Sequence, residues 1–182
     1  EHPIKSAYPI FHLTDRPDRL RKAPFSVVVP NTLAALQQIA TWWRQQFEIP
    51  VVGITGSVGK SSTKETVGAL LGYKLRVLKN KGNMNNEIGL PLTLLSLNGS
   101  HQAAVLEMGF YVPGEIDLLC KIAQPQIGII TNIGTVHAER AGDIQTIATG
   151  KAELVQSLPK KGLAVLNNDD PMVREMAAQT NA

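Results

Sequence analysis

VVGITGSVGKSSTKETVGALL, residues 51–71, decides how the rest of the chain is read. A short apolar run, rich in β-branched residues, ends at Thr55. A glycine-spaced turn follows, and a helical pattern begins at Lys60. Gly56 and Gly59 allow the turn to curl, so that successive backbone N–H groups converge on one anion. The helix that follows adds the positive end of its dipole. Lys60 can reach the terminal phosphates of a ligand, and Ser61 offers a hydroxyl to Mg²⁺. The candidate phosphate-binding set is therefore Thr55, Gly56, Ser57, Val58, Gly59, Lys60, Ser61 and Ser62. The full Walker spacing would need glycine where Ile54 stands, so this is the shorter Gly-x-x-Gly-Lys-Ser form. A plain glycine turn with an exposed lysine is the bland alternative, and the strand–turn–helix context argues against it.

Working outward, the same alternation repeats. FSVVVP at 25–30 reads as a buried strand, and Thr32 as the cap of a helix reaching about Phe47. That helix carries Leu33, Leu36, Ile39, Ala40, Trp43 and Phe47 on one apolar face. After the phosphate turn, KLRVLKN, AAVLEMG, IGIITNIG and LAVLNN read as strands. GLPLTLLSL, GEIDLLCKIA and DIQTIATGKAELVQSL read as the helices between them, and Pro171 opens a last helix. Strands alternating with helices predict an α/β fold, a mostly parallel sheet with helices on both faces. Residues 1–24 carry four prolines and little periodicity, and are expected to be irregular.

Composition narrows the function classes. The chain has 182 residues, enough for one domain and part of another, and its 43% hydrophobic and 18% charged content is that of a globular protein. A net charge of +3 without a basic block argues against nucleic acid as a partner. No apolar run is long enough for stable membrane insertion. The single cysteine, Cys120, excludes an internal disulfide; it fits a reducing, cytoplasmic setting and is expected simply to pack. The chain opens with Glu1 and no signal-peptide pattern, as expected of a processed chain or a piece of a longer one.

Three further features carry chemistry. In the helix at 143–158 the apolar stripe of Ile144, Ile147, Ala148, Leu154, Val155 and Leu158 skips one turn, and Lys151 fills the gap. Full desolvation of a lysine costs roughly 4–7 kcal/mol against its charged form. Either the stem packs and the ammonium snorkels to water, the commoner outcome, or the amine meets carboxylates, metal or phosphate, or is modified. Glu107 ends an apolar strand and His137 lies just past another. In an open parallel sheet both would stand at the rim where ligands bind, and a carboxylate there can hold Mg²⁺. A lone loop histidine is as often a surface group. KGNMNNEIGLP supplies Asn83, Asn85 and Asn86, which can hold a sugar or phosphate, although asparagines more often simply make turns.

TGSVGKSSTKE, GNMNNEIGLPLTLL, LEMG, GEI, TNIGTVHAERAG, IATGKAEL and AVLNNDDP together resemble the Mur ligase family, in its order and at about its spacing. The resemblance covers about residue 25 to the end and is most specific from 51 to 170. It implies a P-loop NTPase-like central domain at 31–182, incomplete, with 1–30 an N-terminal segment left from the UDP-binding domain and the C-terminal domain absent. The implied activity is an ATP- and Mg²⁺-dependent amide ligation by way of an acyl phosphate. Its closest branch joins D-Ala-D-Ala to a UDP-MurNAc-tripeptide in peptidoglycan precursor synthesis. Other Mur-type, folylpolyglutamate and cyanophycin-type ligases are the nearest alternatives, and a nucleotide-binding module without turnover is the alternative of another class. The resemblance implies that the 55–62 loop binds ATP and that Ser61, Glu107, His137 and a carbamylated Lys151 hold metal. It implies catalytic roles for Lys60, Lys151 and His137, and substrate contact for Asn83, Asn85 and Asn86. The chain departs from the family's usual residues at Ser61, Asp143 and Gly150, where threonine, serine and alanine are commoner.

Overall fold

The computed structural model describes residues 11–16, 25–134 and 143–182. Its centre is a five-stranded, all-parallel sheet. The strands are β3 (Val51–Thr55), β4 (Val77–Lys79), β5 (Ala103–Glu107), β6 (Ile127–Ile130) and β7 (Leu163–Leu166), in the order β4-β5-β3-β6-β7. Five consecutive buried residues in β3 and in β5 fit strands covered on both sides.

The strand residues divide between two faces, as period-2 geometry requires. Val51, Leu78, Ala104, Leu106 and Ile130 join the larger core. Opposite them lie α1 (Thr32–Arg44), α3 (Gly89–Leu94), α4 (Glu115–Ala123), α5 (Ile144–Gln156) and α6 (Pro171–Glu175) with its 3₁₀ extension. Val52, Ile54 and Val105 form a smaller cluster with Val67 and Leu71 of α2 (Lys60–Gly72). The predicted α/β sandwich is therefore what forms. Among the described residues no helix is long and apolar enough to cross a membrane.

Helix α5 is seated by glycines. Gly53 and Gly128 are paired neighbours on β3 and β6. A Cβ at Gly53 would stand 2.9 Å from Leu154 Cδ1, and one at Gly128 would stand 3.1 Å from Leu154 Cγ. Leu154 thus drops into a notch that side chains would fill. A crossover helix runs antiparallel to its strands, so Lys151, one turn before Leu154, is carried toward the sheet's C-terminal rim.

Several sequence expectations need correction. Residues 11–14 are not irregular: β1 (Phe11–Thr14) pairs in parallel with β2 (Phe25–Val28), a separate two-stranded sheet. A four-residue strand whose partner lies fourteen positions away leaves almost no local signal. Asn31, not Thr32, caps α1, its Oδ1 accepting from Ala34 N at 2.8 Å, because the cap must precede the first helical residue. The helix ends at Arg44 rather than near Phe47. The buried Arg44 guanidinium donates to the carbonyls of Phe47, Ile49 and Ala123, which holds the chain in a non-helical path there. Ile39 and Ile144, expected on apolar faces, are exposed. Ile144 is the first residue of α5, ahead of the turns that meet the sheet. Cys120 does pack, with Sγ 3.8 Å from Met108 Sδ, and burial pushes its thiol pKa up to about 12.

Candidate active site at the phosphate loop

The turn after β3 is built as its glycines suggest. Gly56 has φ 148° and Gly59 φ 84°, both costly for other residues, and a Cβ at Gly56 would fall 1.9 Å from Thr131 Oγ1. The segment after β6 cradles the loop from beside it. Ser57 N donates to Asn132 O at 3.0 Å and Val58 N to Asn132 Oδ1 at 2.8 Å. Ser57 Oγ donates to Gly134 O and accepts from Gly134 N, and Thr131 Oγ1 donates to Val58 O at 2.6 Å. The N–H groups of Lys60, Ser61 and Ser62, in the first turn of α2, find no acceptor among the described residues. Gly59 offers no side-chain cap, and no acidic residue occupies that turn. Lys60 folds back, Nζ donating to Gly56 O at 2.8 Å and Ser57 O at 3.3 Å. A cation and three unanswered N–H groups around one small loop suit an anion.

Glu107 closes β5 beside this loop and is buried. Ser61 Oγ donates to its Oε2 at 2.8 Å, which brings together two sequence-predicted metal ligands. Among the described residues no group of three or more His, Cys, Asp or Glu gathers. Two oxygen donors beside a phosphate loop fit Mg²⁺, which keeps several waters and shares phosphate oxygens, and do not fit a closed zinc cage. His137 lies outside the described residues.

Lys151 is only 4% exposed. Its Nζ lies 4.8 Å from the centre of the Phe110 ring, so the ammonium does not snorkel into bulk water. It makes no ion pair with a carboxylate among the described residues. Burial, with added repulsion from Lys60, brings its pKa down to about 8. The pKa of Lys60 is itself lowered by burial and partly restored by Glu107.

Phe110 also accounts for the departure at 150. A Cβ at Gly150 would lie 1.9 Å from Phe110 Cε2 and 2.5 Å from Cζ. Gly150→Ala is expected to lower stability by about 1–3 kcal/mol despite alanine's better helix propensity. Phe110→Leu in the same chain should recover most of that loss, as a double-mutant cycle by urea unfolding would show. Equal losses in both backgrounds would refute the pairing.

The asparagines divide. Asn83 is exposed. Asn86 Oδ1 accepts from Ile88 N and Gly89 N, closing the turn into α3. Asn85 Nδ2 donates to Glu107 Oε1 at 2.8 Å. Ser62 is exposed at the mouth of the loop.

Sequence reasoning missed three contributors. Lys64 is buried, with Nζ 2.9 Å from Asn80 O and 3.7 Å from Glu107 Oε2. Asn80 holds Glu107's backbone from both sides, Oδ1 accepting its N–H and Nδ2 donating to its carbonyl, each at 2.9 Å. Asn132 shapes the loop. Only Lys64 left a trace: it lies four residues, about one helical turn, after Lys60, on the same face of α2.

Comparison with known proteins agrees with this geometry. Residues 54–182 match the Mur ligase middle domain. The UDP-N-acetylmuramoyl-tripeptide–D-alanyl-D-alanine ligase of Synechocystis is 45% identical over 166 residues, covering 91% of this chain and 37% of that protein. The crystal structure of MurF from Acinetobacter baumannii superposes with a TM-score of 0.85 at 36% identity, covering 92% of this chain and 37% of that one. MurF from Thermotoga maritima in complex with ADP gives 0.82 at 34% identity, covering 93% and 39%. The chain thus spans little more than a third of the length of these relatives. With its middle-domain match, its sheet order and its lysine-bearing glycine loop, the chain belongs to the Mur ligase family.

Proposed function

We propose that the protein carrying this chain is an ATP-dependent ligase of peptidoglycan precursor synthesis, joining D-Ala-D-Ala to UDP-MurNAc-tripeptide. Residues 31–182 would supply part of its ATP-binding central domain, and 1–30 the end of the UDP-binding domain. The observation that carries the nucleotide half is the meeting of Lys60, Ser61 and Glu107 at one rim of the sheet, with Lys151 within electrostatic reach. The choice of substrates rests on the relatives' names. A cytoplasmic setting follows from the supply of ATP.

Bound magnesium–ATP would supply the phosphoryl group that activates a carboxylate for attack by an amine. The chain's own groups prepare for this. The free N–H groups at the start of α2, together with residues 55–62, would take the phosphates. Lys60 would turn from its loop carbonyls to the phosphate oxygens and offset the repulsion between two anions. Ser61 and Glu107 would hold the metal, with His137 completing the site. Lys151 would serve as a carbamate: its neutral amine adds to carbon dioxide, an N–C bond forms and a proton leaves to water. That step exchanges a poorly solvated cation for an anionic oxygen ligand. Asn83 and Asn86 would line the side facing the UDP-MurNAc-peptide.

The test is turnover by the intact protein with ATP, Mg²⁺, UDP-MurNAc-tripeptide and D-Ala-D-Ala. Release of ADP that depends on both substrates is the expected result. No ADP with this pair, but turnover with another muropeptide, a folate or a cyanophycin primer, would move the assignment to that ligase. The 182 residues alone are expected to bind ADP without turnover.

A further inference from the structure

Asn85 has a neighbour that its expected place on the substrate side does not explain. We propose that Asn85 is a positioning residue for Glu107, fixing which carboxylate oxygen faces the phosphate loop. The proposal rests on reading Glu107 as a magnesium ligand.

A strand fixes the Cα of its last residue but leaves the glutamate side chain free to rotate. At Glu107 that freedom is removed. Its backbone is gripped from both sides by Asn80. Asn85 Nδ2 holds Oε1 at 2.8 Å, which leaves Oε2 to Ser61 at 2.8 Å and to the Lys64 ammonium at 3.7 Å. Asn85 is itself anchored. Its carbonyl accepts from Gly109 N at 2.7 Å, and a Cβ at Gly109 would come within 3.0 Å of Asn85 Oδ1, so the missing side chain leaves room for the amide. The loop is therefore stitched to Glu107 near both of its ends, by Asn80 and by Asn85. An amide suits the role: it donates to a carboxylate without adding charge to a site that must attract a cation. Asn83 and Asn86 do not share it, since one is exposed and the other bonds backbone in its own turn.

The experiment uses Asn85→Ala and Asn85→Gln in the intact protein. The second keeps the amide and the backbone bond but moves the donor by one methylene. Mn²⁺ is titrated in the presence of ADP and followed by the electron paramagnetic resonance signal of the free ion. Both variants should bind Mn²⁺ roughly 10–100-fold more weakly. Their affinity for ADP in EDTA, and their KM for UDP-MurNAc-tripeptide at saturating metal, should stay within about twofold of the parent's, a split that a general loss of structure would not give. Should Asn85→Ala fail to fold, Asn85→Gln decides alone. Parent-like Mn²⁺ affinity in the folded variants, with a raised peptide KM, would make Asn85 a substrate contact and overturn the proposal. A parent protein that binds no Mn²⁺ with ADP would overturn the reading of Glu107, and this role with it.

Discussion

Lys60→Met in the intact protein is expected to reduce kcat for ATP-dependent ligation by roughly 10²–10³-fold, the usual loss when one preorganised donor to a developing charge is removed. Stability should barely change. Among the described residues the ammonium bonds only to two carbonyls of its own loop, and burial already disfavours its charge. The decisive comparison is kinetic. Lys60 is assigned to charge that builds during transfer, so kcat should fall further than the KM for ATP rises. A variant that retains kcat and loses only ATP affinity would make Lys60 a simple binding residue. Unchanged kcat and KM would remove the loop from the chemistry.

Lys151→Met should separate stability from activity. In the folded chain the Lys151 pKa is about 8, against 10.5 for an ordinary solvated lysine. Above both values the amine is neutral in either state and nothing is lost. As the pH falls from about 10.5 toward 8 the unfolded chain takes up its proton first, so stability drops across that window and then levels off. At pH 7 the penalty is about 3 kcal/mol. Methionine, similar in length and uncharged, should recover most of it. In urea titrations run in carbon-dioxide-free buffer, the variant should be more stable at pH 7 and should lack the parent's rise between pH 8 and 10.5. Ligation should be lost, and bicarbonate should restore nothing. A variant no more stable than the parent at pH 7 would mean that the ammonium is well solvated. An active variant would mean that the buried lysine is not part of the machinery.

The residues also show what a sequence discloses by itself. The β3–loop–α2 unit was legible because all its determinants lie within twenty-one residues: an apolar run, two glycines needing positive φ, and a lysine at the helix start. The sheet followed from simple alternation, and Lys151 from one gap in a helical stripe. β1 was not legible, because a short parallel strand acquires its hydrogen bonds only from a distant partner. Asn80 was hidden for a similar reason, and so was Lys64 apart from its one-turn spacing from Lys60. Each is an ordinary polar residue in sequence and becomes important only when Glu107 is folded against it. The three asparagines could be seen as a group, but nothing local distinguishes the one that bonds a carboxylate from the one that closes a turn.

The most direct test of the central claim, that one rim of the sheet gathers the loop, Glu107 and Lys151 around a single nucleotide, is a crystal structure of the intact protein with ADP and Mn²⁺, read by anomalous scattering. The predicted result is a manganese peak within bonding distance of Glu107, phosphates on the N–H groups of residues 59–62, and carbamate density on Lys151 in the same pocket. Phosphates bound away from the glycine turn, with an unmodified Lys151 amine turned into solvent, would contradict the account.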